Sequence, residues 1–178
     1  FLPMILKENI LYFSSVVSIP DPDNPDSPRK SETSVLALNL DTDELTVLFE
    51  QEARYSSTIT LLGEYENKLY YCYDYCDNGF NGYNVDEVNA YSEIYEFDLA
   101  ENTPVKLELQ IQQNNVFKGY ICKNSLVFYT RPLGDNTSIV DIFTYNLETG
   151  ELNESGERAE TVIQYMDDKL IYKDEQGD

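Results

Sequence analysis

The chain predicts an all-β fold, a β-propeller made of four-stranded antiparallel blades, and three observations carry that expectation. A segment in which alternating apolar positions run into Asn or Asp, then Leu, then a polar turn occurs three times. It reads VLALNLDTDEL (35–45), IYEFDLAENTP (94–104) and FTYNLETGEL (143–152). A polar turn followed by a Leu-led aromatic strand precedes each copy and returns once more, as KENILYFSS (7–15), ENKLYYCYD (66–74), KNSLVFYTR (123–131) and DDKLIYKDE (167–175). No segment keeps a 3.6-residue apolar period for three turns, so helix is not expected.

The unit has four strands, A to D. Strand A is the apolar segment before the polar turn: FLPMIL at the start, then TITLLGEY (58–65), NVFKGYIC (115–122) and TVIQYMDD (161–168). Strand B is the aromatic strand, on which Leu11, Leu69, Leu126 and Leu170 align. Strand C ends in Asn39-Leu40, Asp98-Leu99 and Asn146-Leu147, and strand D follows the turn. Period-two alternation with aromatic and β-branched residues supports each strand, and Glu, Asn, Lys and Asp clusters supply the turns. Thr149-Gly150 is the clearest tight turn, because Gly takes a positive φ without cost.

These units place blade one at about 1–51, blade two at about 57–110, blade three at about 115–157 and half of a fourth at about 161–178. Tandem four-stranded units bury both faces against neighbours. The three and a half blades of this single segment are therefore expected to belong to a ring of about six to eight. Missing blades or another chain would cover the open apolar faces; closure with four blades, the last truncated, is the alternative.

Across 178 residues, 33 acidic side chains stand against 12 basic ones, a formal net charge of -21, with 15 Tyr, 8 Phe, no Trp and no His. That balance argues against nucleic acid, which requires clustered Lys and Arg, and against anionic membranes. No apolar run is long enough to span a bilayer, so no membrane insertion is expected. Cys72, Cys76 and Cys122 match no four-ligand metal spacing and read as small apolar strand residues.

Binding chemistry is expected in the B-to-C connections, which share one end of the blades with the D-to-A connections. Two are long: 14–33 and 73–91. In the first, Asp21, Asp23 and Asp26 stand between prolines, and Pro25 and Pro28 occupy the place of the turn glycine that a calcium loop needs. It reads as a stiff, solvated acidic loop. The second joins Tyr73, Tyr75, Phe80, Tyr83 and Tyr91 to Asn78 and Asn81. Aromatic faces cover the C–H groups of a sugar while amides bond its hydroxyls, so these residues are candidates for binding a glycan, a peptide or a protein; a small loop core is the competing reading. Asp74, Asp77, Asp86 and Glu87 are the candidate calcium ligands. No catalytic residue is assigned: a chain without His holds no Ser-His-Asp or Cys-His set, and its many acids single out no glycosidase pair.

At LYYCYD followed by IYEFDLAENTP the chain resembles the YWTD and TolB-like propeller group, whose repeat sets an aromatic strand before I-Y-x-x-D/N-L. The resemblance covers nearly the whole chain and is similar to bacterial, often secreted or lipid-anchored, propellers. It implies an extracellular or cell-envelope protein; the two long loops and the missing catalytic set lead to the expectation of a non-enzymatic binding module, with a scaffold and, third, a carbohydrate-active enzyme using acidic residues as the alternatives. Phe13, Tyr71, Phe128 and Tyr172 hold the second aromatic place, never Trp, and only Asp174 matches the Asp that ends the YWTD motif. The group also includes lyases with His-rich metal sites, which no residue here can carry.

Overall fold

The computed structural model describes residues 3–20, 30–54, 56–76, 90–109, 114–132, 140–166 and 169–174. These residues hold strands and turns and no helix, and they divide into two compact units, 1–107 and 108–178.

The first unit contains two antiparallel sheets. One orders β1 (Ile5–Lys7), β2 (Ile10–Ile19), β3 (Lys30–Asn39) and β4 (Glu44–Arg54) as they occur in the chain. The other does the same with β5 (Ser56–Tyr65), β6 (Lys68–Cys76), β7 (Ala90–Asp98) and β8 (Thr103–Lys106). Each is one A-B-C-D meander. The second unit orders β9 (Asn114–Cys122), β10 (Ser125–Pro132), β11 (Val140–Asn146), β12 (Leu152–Met166) and β13 (Lys169–Asp174) in a single sheet. Its long β12 pairs with β11 as far as Ala159 and with β13 from Ala159 onward. One strand thus serves as D of the third meander and A of the next.

The structure explains why Asn or Asp followed by Leu recurs. The side-chain oxygen of Asn39 accepts the backbone N–H groups of Asp41 and Thr42; Asp98 does the same for Ala100 and Glu101, and Asn146 for Glu148 and Thr149. The following Leu then donates its own N–H across the blade end: Leu40 to the carbonyl of Asn9, Leu99 to Asn67, and Leu147 to Asn124. The A-to-B and C-to-D turns are thereby tied together, and the backbone groups of a four-residue turn are satisfied without a neighbouring strand. Each turn closes with a left-handed residue: Asp43 (φ 58°), Asn102 (φ 53°) or Gly150 (φ 72°).

The two sheets of the first unit pack face to face. Tyr12 and Val35 of the first meet Ile59, Leu61, Leu69, Tyr71, Tyr73 and Phe97 of the second in one buried cluster. Polar bonds pin the seam: Lys7 Nζ to Glu64 Oε1 at 2.6 Å, Ser57 Oγ to the Ser31 carbonyl at 2.9 Å, and Gln51 Nε2 to Tyr71 Oη at 3.5 Å. In the second unit, Tyr129, Val140, Ile142 and Ala159 form a separate cluster.

The connections read as long loops are shorter than expected. Residues 14–19 continue β2 and residues 30–33 belong to β3, paired from Ile10↔Asn39 through Ile19↔Lys30. Val16, Val17, Ile19 and Thr33 are β-branched, which suits an extended strand and lengthens the hairpin before the prolines stop it. Tyr73, Asp74, Tyr75 and Tyr91 likewise lie on paired strands, Tyr75 opposite Tyr91 and Asp74 opposite Ser92.

Candidate functional site

The expected binding residues fall into two sets. Asp77, Asn78, Phe80, Asn81, Tyr83, Asp86 and Glu87 lie outside the described residues, as do Asp21, Asp23 and Asp26 of the first connection. Tyr73, Tyr75, Tyr91 and Asp74 are described, and the pleat of β6 separates them. Tyr73 and Tyr75 share the face that also carries Tyr71 and Leu69, whereas Asp74 shares the opposite face with Cys72.

The tyrosine face forms a column of rings. Phe49 of β4 packs on Phe97 (centroids 4.7 Å) and on Tyr71 (5.0 Å), and Tyr71 stacks on Tyr95 at 5.3 Å with planes 7° apart. Farther along, Tyr73 stacks on Tyr75 at 4.9 Å and Tyr75 on Tyr91 at 5.0 Å. Tyr71, Tyr73 and Phe97 are buried, and Phe49, Tyr95, Tyr75 and Tyr91 are half-buried. The outer pair sits where β6 and β7 pass into 77–89.

Residues that sequence reasoning passed over hold this end in place. Arg54, the last residue of β4, lies over the Tyr75 ring at 5.2 Å and pairs with Glu52 at 3.5 Å. The Tyr73 hydroxyl donates to the Glu52 carbonyl at 3.4 Å. Beneath the pair, Glu93 accepts from Lys106 Nζ at 2.7 Å and Tyr95 Oη at 2.8 Å. Burial pushes the Glu93 carboxyl up, but the bonds from Lys106, Tyr95 and Tyr75 outweigh it and hold the group below the usual carboxylate range. Burial pushes the Tyr95 hydroxyl up, and the adjacent Glu93 adds to it. The missed signal was topological: D-to-A connections share an end with B-to-C connections, so the end of β4 could have been placed beside Tyr75.

On the other face, Asp74 accepts from the Ser92 hydroxyl and from the Cys72 thiol, the latter at 3.5 Å. Burial raises the Asp74 pKa against these two bonds, and burial pushes the Cys72 thiol well up. A thiol raised in this way by burial is a poor nucleophile. Among the described residues no three His, Cys, Asp or Glu side chains gather as a metal site requires.

A second concavity, about 470 Å³, lies in the 108–178 unit among Glu108, Phe143, Tyr145, Leu152 and Glu154. It borders the C-to-D turn at Gly150, the end of the blade away from the B-to-C connections.

No protein-family model and no curated protein matches the sequence. Among solved structures, an oligogalacturonate lyase in complex with manganese superposes with a TM-score of 0.53 at 12% identity, over 86% of this chain and 40% of that one. The chain has the β-propeller fold. An AtxE2 isopeptidase variant (TM-score 0.48, 15% identity) is matched over 85% of this chain and 20% of its own. A puromycin-hydrolyzing peptidase of Mycobacterium tuberculosis (0.31, 10%) is matched over 82% and 26%. The chain thus spans less than half the length of each.

Proposed function

We propose that these blades belong to a non-enzymatic binding module that takes a glycan on the Tyr75–Tyr91 platform. The observation that carries this reading is the outer pair itself: Tyr75 and Tyr91, stacked at 5.0 Å, are half-buried at the end of the hairpin. A ring pair held from below by Glu93 and from the side by Arg54 is preorganised, so binding costs little side-chain entropy. Stacked rings offer a flat apolar surface to the C–H face of a sugar, and the Asn and Asp in the sequence of 77–89 are the candidate hydroxyl partners. The buried Cys72 thiol and the desolvated Asp74 favour binding over turnover. Nuclear magnetic resonance titration with neutral and acidic oligosaccharides tests this. Shifts confined to Tyr75, Tyr91 and 77–89 are expected, and Tyr91→Ala should weaken affinity about tenfold, or ~1.4 kcal/mol. A scaffold role predicts no shifts with any sugar.

A further inference from the structure

The concavity of the 108–178 unit lies where the repeat elsewhere sets a ring and a cation. On blade two, Phe49 packs on Phe97 at 4.7 Å and on Tyr71 at 5.0 Å, and Lys106, across from Tyr95, bonds Glu93 at 2.7 Å. The third meander repeats the aromatic places: Leu126 pairs with Tyr145 and Phe128 with Phe143, as Leu69 pairs with Phe97 and Tyr71 with Tyr95. It does not repeat the ring and the cation. Phe49 lies four residues beyond Leu45, the partner of Leu38, and four residues beyond Pro104, the partner of Phe97, the chain has Glu108. Across from Phe143, in the place of Lys106, stands Glu154. Both carboxylates line the cavity of about 470 Å³, with Leu109, Phe143, Tyr145 and Leu152 among its other walls.

We propose that this cavity binds a small organic cation, an alkyl chain ending in an ammonium or guanidinium group. Its volume is that of a small-molecule site. Phe143 is buried, Leu109, Tyr145 and Leu152 are half-buried, and Glu108 and Glu154 are exposed, so an apolar floor rises to an acidic rim. The alkyl chain lies against the floor, and the charged head meets the aromatic rings and the two carboxylates. No Lys or Arg is among the described lining residues, so the positive charge that Lys106 brings to Glu93 on blade two comes here from the ligand. A formal net charge of -21 draws cations toward the whole surface. The inference stands apart from the glycan reading, since it concerns a different blade and the opposite end.

Nuclear magnetic resonance titration of the full chain with n-butylammonium, and with n-butanol and butyrate as neutral and anionic analogues, tests it. Saturable shifts at Phe143, Tyr145 and Glu154 are expected with the cation, at an affinity about tenfold above that for butanol and weakening as salt rises. Glu108→Gln combined with Glu154→Gln should remove the preference for the cation, and Glu108→Phe, which sets a ring in the place that Phe49 fills on blade two, should block binding. Equal binding of butanol and butylammonium would reveal an apolar cleft without charge selection and overturn the proposal, as would shifts that never saturate. A preference that survives the double Gln variant would put the cation elsewhere and overturn it as well; both glutamates are exposed, so that variant keeps the fold. N-acetyl-lysine methylamide carries the same group in peptide form. Binding tighter than that of butylammonium supports a peptide side chain as the source of the cation, and weaker binding supports a free amine.

Discussion

At one end of the blades, three units spell the same construction; at the other, nothing repeats. The A-to-B and C-to-D turns share an Asn or Asp that accepts two backbone N–H groups, a Leu that bonds across to an Asn carbonyl, and a closing left-handed residue. The B-to-C links run through 20–29, 77–89 and 133–139, with prolines in the first, glycines and aromatics in the second and a short polar stretch in the third. Repetition marks the end where the fold is made. Divergence marks the end where the scaffold is free to serve different contacts.

The aromatic column crosses that divide, so it gives the strongest test. Tyr71 is fully buried between Phe49 and Tyr95, and Tyr71→Ala should cost about 3–5 kcal/mol in urea denaturation. Tyr91→Ala, at the open end, should cost about 1 kcal/mol or less. Equal losses would make the outer pair ordinary core and remove the distinction on which the platform rests.

Within the repeated end, the closing residue is the next largest effect. Gly150 sits at φ 72°, where a β-branched residue is strained, so Gly150→Val should cost about 1–3 kcal/mol. Gly150→Asn should be nearly neutral, because Asn102 already occupies the equivalent left-handed position and a Cβ at 150 would meet Tyr145 Oη at an ordinary 3.5 Å. Asn146→Ala removes the acceptor for Glu148 and Thr149, and a loss of about 1 kcal/mol is expected. Were Asn146→Ala silent, the repeated Asx turn would be a by-product of the hairpin rather than a support for it.

These magnitudes follow how much of the molecule was legible beforehand. The meander was legible because its turn chemistry is local: Asn39, Asp98 and Asn146 act on backbone groups two and three residues away, and such spacing is written in the chain. The shared aromatic place was legible too, and Tyr71 on Tyr95 is matched by Phe128 on Phe143 at 5.5 Å in the other unit. Hairpin length was not, since Val16, Val17 and Ile19 beside prolines and acids suit either a loop or a strand end until their partners are known. The support of the candidate site was hidden for a further reason. Arg54, Glu93 and Lys106 come from three strands, and only pairing across a sheet and packing between two sheets bring them to Tyr75 and Tyr95.

The smallest effects have opposite signs for two aspartates of blade two. Backbone N–H groups of Glu101 and Ala100 hold the Asp98 carboxyl below its usual pKa. A lowered folded pKa adds stability above the unfolded value, near 3.9, and that stability is lost as pH falls through the folded value. Asp98→Asn keeps the acceptor oxygen, as Asn39 and Asn146 do, but does not titrate. Wild type should therefore lose ground to this variant on acidification. Asp74 is the reverse case, its pKa raised by burial. Its contribution is fully present below the unfolded value and is lost as pH rises through the raised folded one, because the folded state then holds a desolvated charge. Asp74→Asn retains an oxygen for Ser92 and Cys72 and carries no charge, so it should gain on wild type toward neutrality. Urea midpoints of the three proteins between about pH 3 and 7 should give difference curves of opposite slope. Slopes of one sign would mean that Asp74 is solvated like a turn residue, and the contrast between an inward-facing strand aspartate and a turn-capping one would fail.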